Sequence, residues 1–224
     1  MLRKLISIVS YLPDDELVRT VRFNKLKTLL DKCNELFDLP IFILIQNYKP
    51  EEIAELQKIN NVSLSSNYER LGITGARKKL RETTLAMAFD YFILIDDDGD
   101  LHGTKDGAKK YLCTIDEHPG GYANFKNRQL KLFAISKEVY SQVDYYDINP
   151  EDGAGFEDTI FIAKCDDKFN DKRFYFNYNI DLYDRSPGAC DSCSTWWKPN
   201  VNMEPMLKRT RDLIDRKKYR DIEG

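Results

Sequence analysis

Short apolar runs, each ended abruptly by polar or turn-forming residues, set the rhythm of the first hundred residues. Leu5–Ser10 closes on Tyr11-Leu12-Pro13, Ile41–Ile45 on Gln46-Asn47, and Tyr91–Ile95 on an acidic run; Val62–Leu64 is a shorter run of the same kind. Runs of this length, rich in Ile, Val and Phe, predict strands covered on both faces. Between them apolar residues recur at helical spacing. Asp14 or Asp15 caps a helix with Leu17, Val18, Val21, Leu26, Leu29 and Leu30 as its apolar positions. Lys49-Pro50-Glu51-Glu52 opens a short helix with proline in its first turn, and residues 75–88 form a third, amphipathic one. The β-α-β-α-β-α-β order predicts an α/β, Rossmann-like, mostly parallel sheet flanked by helices, with right-handed crossovers. Ligands of such sheets bind beyond the carboxyl ends of the strands. Tyr11–Pro13, Gln46-Asn47 and the acidic run all fall on that rim.

The second half is less regular. Leu130–Ile135 reads as a strand, Ser136–Val143 as a helix capped by its serine, and Gly153–Asp158 as a glycine loop entering a helix at Thr159–Lys164. Phe174–Asn179 alternates aromatic and polar residues like a strand with one exposed face. From Asp184 to Asn202 the chain reads as loop, then Pro205–Tyr219 as a basic helix.

Composition narrows the class. A chain of 224 residues with 42% hydrophobic content is long enough for one α/β domain and a short irregular C-terminal extension. A net charge of −3 gives the whole molecule no general affinity for nucleic acid or anionic membrane. No apolar run approaches the ~20 residues that cross a bilayer. Met1-Leu2-Arg3-Lys4-Leu5-Ile6 leads into Asp14-Asp15-Glu16 without a small-residue cleavage site, so it reads as a first strand. Five cysteines, an odd number, argue for a reducing cytoplasm and against a disulfide framework. Abundant Lys, Asn, Ile, Tyr and Asp is the usage of an AT-rich bacterial or phage genome.

Candidate chemistry sits at the fourth strand. Asp96-Asp97-Asp98-Gly99-Asp100 places four carboxylates in five residues, and their mutual repulsion demands a counter-ion or raised pKa values. Hard oxygen ligands at that spacing suit Mg²⁺ or Mn²⁺, which in turn suit a diphosphate; a solvated acidic turn is the plainer reading. Upstream, Gly72-Ile73-Thr74-Gly75-Ala76-Arg77-Lys78 reads as a glycine loop whose backbone N–H groups approach phosphate oxygens at a helix start, with Arg77 as a fork for the same anion.

Over residues 4–165 these motifs resemble the GT-A fold glycosyltransferases, in the style of the large family-2 group. The matching stretches are Ile8-Val9-Ser10-Tyr11-Leu12-Pro13 for the base-binding turn, Gly72 to Ala76-Arg77, the DxD motif Asp96-Asp97-Asp98, and the helix start Gly155-Phe156-Glu157-Asp158. The resemblance implies a GT-A-like domain over 1–183, nucleotide-sugar binding in 1–100 and acceptor binding in 101–183, followed by a C-terminal loop and basic helix over 184–224. It implies metal-dependent transfer of a sugar from a UDP- or GDP-sugar to a hydroxyl acceptor, with inversion. Asp98 is then the direct ligand of Mn²⁺ or Mg²⁺, Asp96 lies near ribose or metal, and Asp97 helps orient them. Ser10, Tyr11, Pro13, Gln46, Gly72 and Arg77 line the donor. Glu157 and Asp158 face the acceptor, with Asp158 as general base and Glu157 sharing or replacing it.

Several points stay open. Many GT-A enzymes add a C-terminal histidine to the metal; here none follows His118, and either Asp181, Asp184, Asp191 or a backbone group in the loop substitutes, or the metal is held more loosely. His102 either lines the site or lies on the surface. Cys190 and Cys193 fit a structural zinc only with Cys113 or Cys165. Trp196-Trp197 form a lid or acceptor wall, or pack on the core. The basic tail is a solvated face or a contact to anionic lipid or nucleic-acid phosphates, so the acceptor ranges from a surface glycan to a hydroxymethylated base of phage DNA. A sugar-phosphate nucleotidyltransferase is a competing reading, opposed by Tyr11-Leu12-Pro13-Asp14-Asp15 where that class carries a long glycine-rich loop. A non-catalytic nucleotide- or glycan-binding module is another.

Overall fold

Alternate residues of the first strand enter two different cores: Ile6 and Ile8 pack with one set of helices, Leu5 and Val9 with the other. This is what an unbroken apolar run produces when the pleat sends successive side chains to opposite faces. The computed structural model describes residues 1–67, 71–97, 99–123, 132–145, 157–176 and 183–184. In chain order the elements are β1 (Lys4–Tyr11), α1 (Glu16–Phe37), β2 (Ile41–Gln46), α2 (Pro50–Leu56), β3 (Val62–Asn67), α3 (Gly72–Leu85) and β4 (Tyr91–Asp96). There follow β5 (Asp100–Leu101), α4 (Lys105–Glu117), β6 (Tyr122–Ala123), β7 (Phe133–Ser136), α5 (Lys137–Gln142), α6 (Glu157–Phe169) and β8 (Tyr183–Asp184).

Six strands form one sheet in the order β3-β2-β1-β4-β7-β6. The first four are parallel; β7 runs antiparallel to β4, and β6 antiparallel to β7. β5 and β8 make a separate antiparallel pair. The core on one face draws on α1, α2 and α4, through residues such as Leu26, Leu30, Leu56, Tyr111 and Ile115. The core on the other draws on α3, α5 and α6, through Ala76, Leu80, Val139, Ile160, Phe161 and Cys165. The α/β, mostly parallel sheet expected from the sequence is the fold observed. β1, β2 and β4 each end within a residue of their expected limits, at the rim that carries the candidate chemistry.

Some expectations are corrected. On α1 the inward line is Arg19, Phe23, Leu26, Leu30, Cys33 and Phe37, spaced by three and four. Leu17 and Val21 fall out of that phase and are 77% and 49% exposed. α3 starts at Gly72 and not at residue 75, so the expected glycine loop is helix from its first residue. Gly72, at φ +68, supplies the left-handed turn that leads into it. α4 was not expected, although its buried Ala108, Tyr111 and Ile115 have helical spacing and Thr104 caps it by accepting from the Gly107 amide at 3.1 Å. Residues 174–176 of the expected Phe174–Asn179 strand lie outside any strand, yet the alternation survives: Phe174 and Phe176 are buried and Tyr175 is 69% exposed. Asp184, expected to open a loop, pairs with Asp100 in the β5–β8 ribbon. The expected strand at Leu130 begins at Phe133, and the helix expected over Thr159–Lys164 extends from Glu157 to Phe169. The basic tail helix and the Cys190-Cys193 pair lie outside the described residues.

Candidate functional site

The end of β4 and the helices α1, α3 and α6 bring charged groups to the rim. Asp96 is the last residue of β4, and Arg77 lies within α3, where it is only 5% exposed. Arg77 Nη2 donates to Asp96 Oδ1 at 2.7 Å and lies 3.1 Å from Asp158 Oδ1. Asp158 is the second residue of α6, where the helix dipole favours a negative charge. α6 is fixed in turn by its apolar face: Phe161 stacks on Tyr145 with ring centroids 4.4 Å apart and meets Tyr140 edge-on. One guanidinium therefore joins the acidic strand end to the carboxylate expected to face the acceptor.

Asp97 has different partners. Arg22 Nη2 donates to both of its carboxylate oxygens, at 2.9 and 3.1 Å, and Ser10 Oγ donates to Oδ2 at 2.5 Å. The Tyr48 hydroxyl lies 2.6 Å from Ser10 Oγ. Burial, and after it the charge of Asp97, hold the Tyr48 phenol well above its usual pKa.

The loops after β1 and β2 are tied together by Arg19, which is 4% exposed. Its guanidinium donates to Glu52 at 2.7 and 2.6 Å, to the Pro13 carbonyl at 3.0 Å and to the Asn47 carbonyl at 2.7 Å. Asn47, held at φ 60, donates through Nδ2 to the Leu12 carbonyl at 2.7 Å and to Asp14 at 2.9 Å. Gln46, at the end of β2, accepts the Leu71 amide at 2.9 Å and so fixes the cap residue of α3.

Of the residues singled out in the sequence, Arg77, Asp96 and Asp158 form one cluster, and Ser10 and Asp97 a second. Pro13 and Gln46 are buried in the loop framework, and Tyr11 closes β1 half-buried. Gly72 opens α3, His102 is exposed, and Glu157 is the first residue of α6. Asp98, Asp181, Asp191, Trp196 and Trp197 lie outside the described residues. Sequence reasoning passed over Arg22, Tyr48, Arg19 and Glu52. A signal existed for the arginines: Arg19 and Arg22 precede Phe23 and Leu26 on an otherwise apolar helix face, where a charge needs a built partner.

Among the described residues no three His, Cys, Asp or Glu side chains gather as a ready cation site. The donor chemistry nonetheless fits a hard divalent ion. Asp96 stands at the strand end with its side chain 23% exposed and paired to Arg77, while Asp97 is bound by Arg22 and Ser10. Among the described residues of the acidic run, Asp96 is the carboxylate that would contact such an ion.

No protein-family model matches the chain, and no curated protein matches it in sequence. Its backbone does match solved structures. TarS 1–349 of S. aureus in complex with UDP-GlcNAc superposes with a TM-score of 0.59 at 12% identity, covering 85% of this chain and 61% of that one. A cytidylyltransferase from Leptospira borgpetersenii superposes with a TM-score of 0.58 at 10% identity, covering 97% and 98%. The glycosyltransferase GlyE of Streptococcus pneumoniae gives 0.50 at 13% identity, covering 78% and 46%. The chain spans about three fifths of the length of the TarS fragment it matches. The fold is thus that of the nucleotide-sugar transferases. Within that class the TarS and GlyE likeness supports a GT-A-like architecture. No helix among the described residues is long and apolar enough to cross a membrane.

Proposed function

We propose that this protein is a metal-dependent glycosyltransferase that moves a sugar from a UDP- or GDP-sugar to a hydroxyl acceptor with inversion. The supporting observation is the bridge at Arg77, which puts the acidic end of β4 and the carboxylate at the start of α6 on one rim. The two halves of a transfer site meet there. On the donor side, Tyr11, Pro13 and Gln46 stand at strand ends where a nucleotide lies in sheets of this class. A divalent ion held by Asp96 and Asp98 would stabilise charge on the departing diphosphate. On the acceptor side, Asp158 takes the proton of the attacking hydroxyl as its oxygen bonds to the anomeric carbon and the bond from that carbon to the diphosphate oxygen breaks. Trp196 and Trp197 complete the acceptor side in this reading, and the acceptor is a glycan or a hydroxymethylated base. The DxD assignment and the family-2 and phage character are parts of the same proposal.

A second reading has its own support. The cytidylyltransferase covers nearly the full length of both chains, so a sugar-phosphate nucleotidyltransferase shares this sheet. The turn after β1 is short and tied down by Arg19, not glycine-rich, which favours transfer of the sugar.

The test is a thermal-shift and turnover panel of UDP-, GDP- and CDP-sugars and of CTP with sugar phosphates, with Mn²⁺ and with EDTA. A ligand that binds the folded state alone raises the melting temperature in proportion to the logarithm of its concentration over Kd. Metal-dependent stabilisation by one nucleotide sugar, with slow release of the free sugar, establishes the transferase. Pyrophosphate release from CTP and a sugar phosphate establishes the second reading. Silence across the panel from a folded chain overturns both and leaves a binding module.

A further inference from the structure

Asp97 stands in the middle of the acidic run, yet the protein itself occupies its carboxylate. Arg22 reaches both oxygens and Ser10 takes Oδ2. A serine hydroxyl has a single proton. Because Ser10 gives that proton to Asp97, the 2.6 Å contact with Tyr48 is one in which the phenol donates to Ser10 Oγ. The phenol keeps its proton because it is buried and next to a carboxylate. Hydrogen bonds therefore run one way from Tyr48 through Ser10 to Asp97 and are met there by Arg22.

Each link belongs to a different part of the rim: Ser10 to β1, Tyr48 to the loop after β2, Asp97 to the turn after β4, and Arg22 to α1. All are shielded from water. Ser10 is 1% and Tyr48 8% exposed, and the side chains of Arg22 and Asp97 are 14% and 13% exposed. The supports are themselves anchored. Phe23, next to Arg22, packs edge-on against the Tyr48 ring with centroids 6.2 Å apart. By contrast, the backbone contact that closes the turn, Gly99 N–H to the Asp96 carbonyl, is 3.4 Å long, near the limit for a hydrogen bond. The Asp97 side chain, through its charged hydrogen bonds to Arg22 and Ser10, therefore ties the turn to α1 and β1.

We propose that Arg22, Ser10 and Tyr48 form a latch that grips Asp97 and fixes the turn between β4 and β5. In the nucleotide-sugar reading above, on which the ligand side of this inference rests, that turn presents Asp96 and Asp98 to the donor diphosphate. Arg22, Ser10, Tyr48 and Asp97 are positioning residues, and Asp97 is not a cation ligand. Charged hydrogen bonds shielded in this way are strong enough for loss of one to be read at the turn.

The test is hydrogen–deuterium exchange on the full ligand-free chain, comparing wild type with Arg22→Met, Arg22→Lys and Tyr48→Phe. Peptides spanning residues 94–104 exchange about tenfold faster or more in Arg22→Met, less so in Tyr48→Phe, and Arg22→Lys recovers part of the protection. Peptides from the middle of β1 and β2 stay as in wild type. The same variants bind the Mn²⁺-dependent nucleotide sugar found for the wild type about tenfold more weakly. Wild-type exchange at the turn in Arg22→Met overturns the latch, whatever the donor does. Faster exchange with undiminished donor binding overturns the positioning role. If the turn loosens but the wild type binds no nucleotide sugar, the latch stands and the donor reading falls. Tyr48→Phe removes one hydroxyl and carries the test if Arg22→Met does not fold.

Discussion

Arg77 and Asp158 form an ion pair, 3.1 Å from Nη2 to Oδ1, while the same nitrogen donates to Asp96 at 2.7 Å. A single buried cation thus separates two carboxylates supplied by distant parts of the chain. Arg77→Ala leaves them facing each other across a partly desolvated rim, at an expected cost of about 3 kcal/mol. Lysine, a strongly hydrated point charge on a flexible stem, restores only part of this, because it lacks the rigid planar group that holds one nitrogen between the two acids. A divalent cation held at the rim supplies the missing positive charge, so added Mn²⁺ stabilises Arg77→Ala more than wild type. Urea unfolding of the three proteins with and without Mn²⁺ measures it; equal metal effects on wild type and Arg77→Ala would show that no cation reaches these carboxylates.

The two acidic sites divide the proposed reaction between them. Asp98→Ala removes a proposed metal ligand and abolishes metal-dependent donor binding. Asp158→Asn removes the proposed base, keeps donor binding, and lowers transfer by a factor of about 10²–10⁴, the usual contribution of general-base catalysis. Calorimetric titration with the nucleotide sugar and a radiolabel transfer assay separate the two effects. Normal transfer by Asp158→Asn would move the base to Glu157 or elsewhere.

Acid stability follows from the pair beneath the rim. Burial alone would raise the Glu52 carboxyl, but hydrogen bonds from Arg19 and the Lys49 amide outweigh it and hold it below its ordinary value of 4.5. A carboxyl lowered by folding adds stability that is fully present above the unfolded value and is lost as pH falls through the folded one. Glu52→Gln is therefore expected to cost about 3 kcal/mol near neutral pH. The deficit relative to wild type stays constant down to about pH 5 and shrinks only at more acid values. Denaturant midpoints for both proteins at a series of pH values give the comparison. A deficit that shrinks well above pH 5 assigns the effect to another group.

Legibility in the sequence tracked how local each signal was. β1, β2 and β4 were readable because both faces of these strands are buried, which leaves unbroken apolar runs that stop where the rim begins. The parallel order and the side of the sheet that carries chemistry followed from those stops alone. Leu17 and Val21 misled because helical phase is set by what lies inward, and in the first turns of α1 that is Arg19, a charge made tolerable by Glu52 on α2 and by the Pro13 and Asn47 carbonyls. Glu52 is 33 positions away, which no periodicity reveals. Asp96, Asp97 and Asp158 were legible as candidates, but their division was not. That Asp97 turns to Arg22 and Ser10 while Asp96 turns to Arg77 depends on how α1 and α3 approach the sheet from opposite faces.

Gln46 is where structural and ligand-binding roles can be told apart. Its side-chain oxygen accepts the Leu71 amide at 2.9 Å, and Leu71 caps the helix that carries Arg77. Leu71 itself makes no side-chain cap hydrogen bond at the start of that helix. Gln46→Leu leaves the amide without this partner in a partly buried setting and is expected to cost about 1 kcal/mol. Gln46→Glu keeps an acceptor oxygen in place but sets a carboxyl at a site only 2% exposed, so it retains part of the stability, while its amide donor is lost. If Gln46 acts only by holding the start of α3, Gln46→Glu binds the nucleotide sugar as wild type does. If its amide also reads the nucleotide base, Gln46→Glu still folds and binds the donor at least tenfold more weakly, the loss expected when a hydrogen bond to a ligand is removed. Melting temperature and donor affinity measured on the same two variants therefore decide whether this rim residue serves the fold, the ligand or both.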